Sequence, residues 1–92
     1  MDKRFKALSL SEQTPLRLAV YDAIAAQPGM PLAEVLTLIR TGLRMTRPEM
    51  ARLTQLSVRY LQDIEHGQAN PSLEMMSKIL TPFGLKMGVV LA

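Results

Sequence analysis

Residues 46–71 read TRPEMARLTQLSVRYLQDIEHGQANP, and this stretch decides the fold. Thr46 and Glu49 stand three positions apart ahead of a helical run. That is the capping-box spacing, in which a hydroxyl takes the N3 amide and the N3 carboxylate reaches back to the N-cap amide. Pro48 falls in the first turn, where a missing N–H costs little. Together these residues predict a short helix over 47–54. Gln55-Leu56-Ser57 interrupts it, with Ser57 as the next N-cap. A second helix over 58–66 then stops at Gly67, a residue free to take positive φ.

Two short helices joined by about three residues have helix-turn-helix geometry. Leu61 and Ile64 fix the inner side of the second helix. Arg59, Gln62, Asp63 and His66 then fall opposite, with Val58 and Glu65 at one edge and Tyr60 at the other. A helix that exposes Arg and Gln near its N-terminal end can read base edges in a major groove. The plainer reading of those side chains is a solvated face. Asp63 has two roles open to it, a base contact or a surface partner for Arg59. His66, in the last turn, suits the negative end of the helix dipole.

Working outward, Pro31 opens a helix whose Leu32, Val35, Leu36, Ile39 and Leu43 form one stripe. Upstream, Thr14 as N-cap and Pro15 as first helical residue predict a helix over 15–27 carrying Leu16, Val20, Ala23 and Ile24 on one face. Pro28-Gly29 ends it. Residues 1–13 hold a basic cluster, Lys3, Arg4 and Lys6, readable as an arm or a short helix. Downstream, Leu73, Met76, Ile79, Leu80 and Phe83 mark a fifth helix. The closing stretch from Lys86 to Ala92, with its Val89-Val90 pair, reads as a short strand.

Ninety-two residues suffice for one core. With no cysteine and one histidine, thiol nucleophiles, thiolate metal sites and multi-histidine clusters are excluded. No Gly-rich phosphate loop and no facing carboxylate pair are present, so an enzyme is rejected and neither cofactor nor metal is expected. No apolar run approaches the ~20 residues of a membrane span, and no apolar core follows the N-terminal charges as in a secretory signal. A cytoplasmic protein with no membrane association is expected. The net charge of +3 permits nucleic-acid binding without demanding it.

The T-x-x-E start (Thr46, Glu49), the small Ala51, Ser57, Tyr60-Leu61, Ile64-Glu65, Gly67, Asn70-Pro71 and the S-L-E-x-x-x-K-I-L run from Ser72 together resemble the lambda-repressor-like (Xre/Cro) helix-turn-helix family. The likeness covers about residues 32–85. It implies base contacts from Ser57, Val58, Arg59, Gln62 and Asp63, and phosphate contacts from Thr46, Arg47, Gln68 and Asn70. It also implies structural support from Gly67 and from Arg40 paired with a half-buried Glu65. Two departures stand out. Gln55 occupies the turn position where the family usually has Gly, at a cost of roughly 1 kcal/mol for a left-handed residue. The ending resembles the terminal strand of HipB-type antitoxins, which pairs with its symmetry mate.

The expected fold is all-α, a lambda-repressor-like helix-turn-helix bundle of about five helices, one of them an extra N-terminal helix, with a short C-terminal β-strand. The expected division is a basic arm and accessory helix over 1–30, the DNA-binding domain over 31–85, and a strand over 86–92 offering a dimer contact. The expected function is that of a homodimeric repressor on double-stranded DNA. One alternative is an antitoxin that binds a toxin protein and represses its own operon. The other is an interaction module that keeps the fold without DNA.

Overall fold

The structure is a computed structural model that describes residues 10–90. Five helices follow one another: α1 (Leu10–Ala25), α2 (Leu32–Gly42), α3 (Arg47–Thr54), α4 (Val58–Glu65) and α5 (Leu73–Leu80), the last extended by a 3-10 turn, Thr81–Phe83. The stripe on α2 buries Leu36, Ile39 and Leu43 against Met50 of α3, Leu61 and Ile64 of α4, and Ile79, Leu80 and Phe83. Helices as short as α3, α4 and α5 are not stable alone in water. Burial of each large apolar side chain contributes roughly 1.5–3 kcal/mol, so the shared centre holds them. Each is also capped by a side chain, at Thr46 and Ser57 as the sequence predicts and at Ser72 without such a prediction. Thr46, Ser57 and Ser72 take the amides of Glu49, Tyr60 and Met75 at 3.2, 3.0 and 3.1 Å.

The extra helix belongs to the core. Val20 of α1 is buried, and Leu16 and Ile24 pack beside it. Val20 meets α2 at Gly42, where an added Cβ would come within 2.5 Å of its Cγ2. Tyr21 donates its hydroxyl proton to the Phe83 carbonyl at 2.7 Å, tying α1 to the far end of the chain. The helix also starts earlier than expected, at Leu10 instead of Pro15, and Pro15 lies inside it. An interior proline gives up the N–H that would reach the carbonyl of Ser11 and crowds that carbonyl with its ring, a cost the expected placement at the first helical position would have avoided. The arm containing Lys3, Arg4 and Lys6 lies outside the described residues.

Two helices end in left-handed residues that are not glycine, Arg44 (φ 56°) and Gln55 (φ 61°). Both positions close their helices. The Met45 amide returns to the Arg40 carbonyl at 2.8 Å, and the Leu56 amide to the Ala51 carbonyl at 3.1 Å. The strain at Gln55 matches the sequence expectation, whereas the strain at Arg44 had no sequence signal. Gln55→Gly is expected to stabilise the fold by about 0.5 kcal/mol, the left-handed penalty less the extra flexibility of Gly in the unfolded chain. Urea unfolding measures this directly, and an unchanged midpoint would contradict it.

The C-terminal strand is not there. Residues 85–90 form no strand among the described residues, while 91 and 92 lie outside them. A strand exists only where a neighbour takes its N–H and C=O groups. Among the described residues the bundle presents no other strand to Lys86–Val90. Instead the segment turns back over the α1–α2 turn, with Val90 Cγ2 3.0 Å from the Cβ position of Gly29 and Val89 fully exposed. β-propensity in the Val-Val pair was local information without a partner.

Candidate nucleic-acid interface

α4 is held from beneath by two kinds of contact. Leu61 and Ile64 are buried in the core at 0% and 3% exposure. At its C-terminal end Glu65 is the focus of a charged network. Its Oε2 accepts from Arg40 Nε at 2.9 Å. Its Oε1 accepts from Arg40 Nη2 at 3.0 Å, Thr37 Oγ1 at 3.2 Å and Arg47 Nη2 at 3.4 Å. The Glu65 side chain is only 2% exposed, deeper than the half-buried position expected of it. The geometry with Arg40 is bidentate, the strongest arrangement of this pair. One carboxylate thereby joins α2, the start of α3 and the end of α4.

Burial pushes the Glu65 carboxyl upward, but the hydrogen bond and charge of Arg40, the charge of Arg47 and the Thr37 hydroxyl outweigh it and hold the group below the usual glutamate range. Because the folded value is depressed, the carboxylate adds stability that is complete above about pH 4.3, the ordinary value. That contribution is lost as pH falls through the folded value. Urea unfolding at stepped pH from neutral to acid should show this loss. The Glu65→Gln variant should lack that part of the pH dependence, and parallel curves for the two proteins would refute the assignment.

The outer side of α4 carries the side chains expected to meet bases. Ser57 caps the helix and is exposed, and Val58 beside it is 39% exposed. Arg59 stands 84% exposed, with Nε 3.4 Å from Asp63 Oδ1. A pair this exposed contributes only about 0.3–0.5 kcal/mol, so Arg59 is readily released to another partner. Gln62 and Asp63 are half-buried on the same flank. Gly67 (φ 70°) ends the helix, and the Gln68 amide closes on the Asp63 carbonyl at 2.7 Å. Gln68 and Asn70 then lie exposed in the loop toward α5.

The residues expected at phosphates divide differently. Thr46 spends its hydroxyl on the capping box, donating to Glu49 Oε1 at 3.0 Å and accepting from the Glu49 amide. Arg47 is turned toward Glu65 and remains 32% exposed, with its Nε buried and unpartnered. Sequence reasoning placed Arg47 at the helix start but missed its tie to Glu65. It placed Thr37 with Arg40 on the polar side of α2 but missed the bond from Thr37 to Glu65. Among the described residues no cluster of three metal-capable side chains occurs, and no helix is long and apolar enough to cross a membrane.

Comparison with known proteins agrees with this geometry. A family model described as "Helix-turn-helix" matches residues 36–90. The HTH-type transcriptional regulator DdrOP3 of Deinococcus deserti is 36% identical over 56 residues, which is 61% of this chain and 43% of that protein. The chain thus spans less than half the length of that relative. No solved structure is a significant match.

Proposed function

The chain belongs to the helix-turn-helix family, and we propose that it is a DNA-binding transcriptional regulator whose α4 enters the major groove. One observation supports this reading above the others. α4 is clamped to α2 and α3 through buried Leu61, Ile64 and Glu65, while Ser57, Val58 and Arg59 at its N-terminal end are left exposed. That is how a rigid reader of base edges is built. Arg59 is suited to guanine O6 and N7 in bidentate fashion, and Val58 to a thymine methyl. Asp63 steadies Arg59 in the free protein. Ser57, Gln62, Gln68 and Asn70 border the same surface, and Arg47 keeps enough exposure to meet a phosphate while tied to Glu65.

One recognition helix covers only a few base pairs, so the protein acts as a homodimeric repressor on half-sites roughly 34–36 Å apart. The antitoxin expectation drew on a terminal strand that residues 85–90 do not form, and it loses that support. Fluorescence anisotropy on the DNA upstream of the gene, against a scrambled duplex, tests the reading. Arg59→Ala should weaken binding to the upstream duplex by about 1–3 kcal/mol, from about fivefold to more than a hundredfold. The slope of log affinity against log salt counts neutralised phosphates at about −0.9 each. Equal affinity of both proteins for every duplex would remove α4 as the reading element.

A further inference from the structure

A cavity of about 240 Å³ lies away from α3 and α4, between the α1–α2 turn, the first turn of α2, the end of α5 and the C-terminal segment. Ile24, Met30, Leu32, Val35, Leu80 and Leu85 make its walls. Gln27 and Lys86 contribute the side-chain polar groups, and Lys86 is the one charged residue among the described residues that line it. Its volume exceeds the roughly 150 Å³ of an apolar cavity that accepts benzene, and one side of it is open to solvent.

The segment that covers the cavity is held lightly. Among the described residues, the amides of Lys86–Val90 make no backbone hydrogen bond. Val90 closes onto Gly29, where any Cβ would press on it at 3.0 Å. Met87 and Val90 stay 41% and 51% exposed, and Val89 is wholly so. A segment fixed by a few side-chain contacts, without ladder or helix bonds, opens at low cost.

The geometry points to a ligand site for a small monocarboxylic acid with an apolar body of about eight carbons, the body in the cavity and the carboxylate at Lys86. The apolar walls recognise the body, and the Lys86 ammonium, which has no ion pair among the described residues, selects an anionic head over a cationic one. Leu32 and Val35 stand in the first turns of α2 and Arg40, which holds α4, stands in its last. Ligand and recognition helix therefore share one rigid element. The site involves no DNA-facing residue and does not depend on the DNA reading.

Octanoate and octylammonium are the probes, added to the ¹⁵N-labelled full chain and followed through amide shifts. Octanoate should give saturable shifts confined to Gly29, Leu32, Val35 and Leu85–Val90, with octylammonium binding at least tenfold more weakly. Lys86→Glu alters an exposed side chain and leaves the core intact; it should invert that preference. Val35→Phe, which fills the cavity, should abolish binding of both. Three results would overturn the site: shifts that never saturate, the same head-group preference in Lys86→Glu, or broadening that grows with protein concentration because a second copy occupies the groove.

Discussion

Glu65→Ala is expected to destabilise the protein by about 3 kcal/mol, at the lower end of what loss of one partner from a buried pair costs. The lower end applies because Arg40 and Arg47 keep 17% and 32% exposure and recover some hydration. For a domain of this size the loss corresponds to a fall in Tm of about 12–24 °C. Two guanidiniums would remain facing each other without the carboxylate that both contact, and Thr37 would lose its acceptor. The loss should exceed that of Arg47→Ala, because Arg47 contributes one long contact at 3.4 Å while Glu65 accepts four. Thermal and urea unfolding of the two variants check this ranking. Equal losses would mean that the network is held together by something other than the carboxylate.

Gly42→Leu should cost about 3 kcal/mol, the upper part of the usual range for overpacking a closed contact. A Cβ at that position already lies 2.5 Å from Val20 Cγ2, and both residues sit where α1 crosses α2. Val20 is β-branched, so its methyl cannot swing away through a free χ1. Helix propensity acts in the opposite direction, since Gly→Ala in an exposed helix gains about 1 kcal/mol. A double-mutant cycle separates the two effects. Gly42→Ala should destabilise in the wild-type background and become neutral or stabilising with Val20→Ala, a coupling of at least about 1 kcal/mol. Additive behaviour would show that α1 does not dock at Gly42.

The reading of α3 and α4 was legible because every signal in that stretch is local. A capping box, a serine N-cap and a glycine stop each act within about one turn, and the structure places them at Thr46–Glu49, Ser57 and Gly67. The apolar stripe of α2 was legible for the same reason, since its period is a property of the chain itself. The exposed flank of α4 followed from the positions of Leu61 and Ile64. What failed was whatever needed a partner. Val89-Val90 has strand-forming residues, but pairing is a relation between segments and no second strand is present among the described residues.

The sequence by itself determined where the helices lie around 46–71 and which side of α4 is free, because backbone capping and helical period are short-range physics. Only the tertiary structure decided the rest. It brought Thr37, Arg40 and Arg47 from two helices onto one carboxylate, turned a glycine of α2 into the seat for α1, and laid the C-terminal segment over an apolar cavity. These are contacts between residues distant in sequence, from Tyr21 with Phe83 to Gly29 with Val90. Their energies depend on distance and burial in the folded chain, quantities that no local pattern of residues encodes.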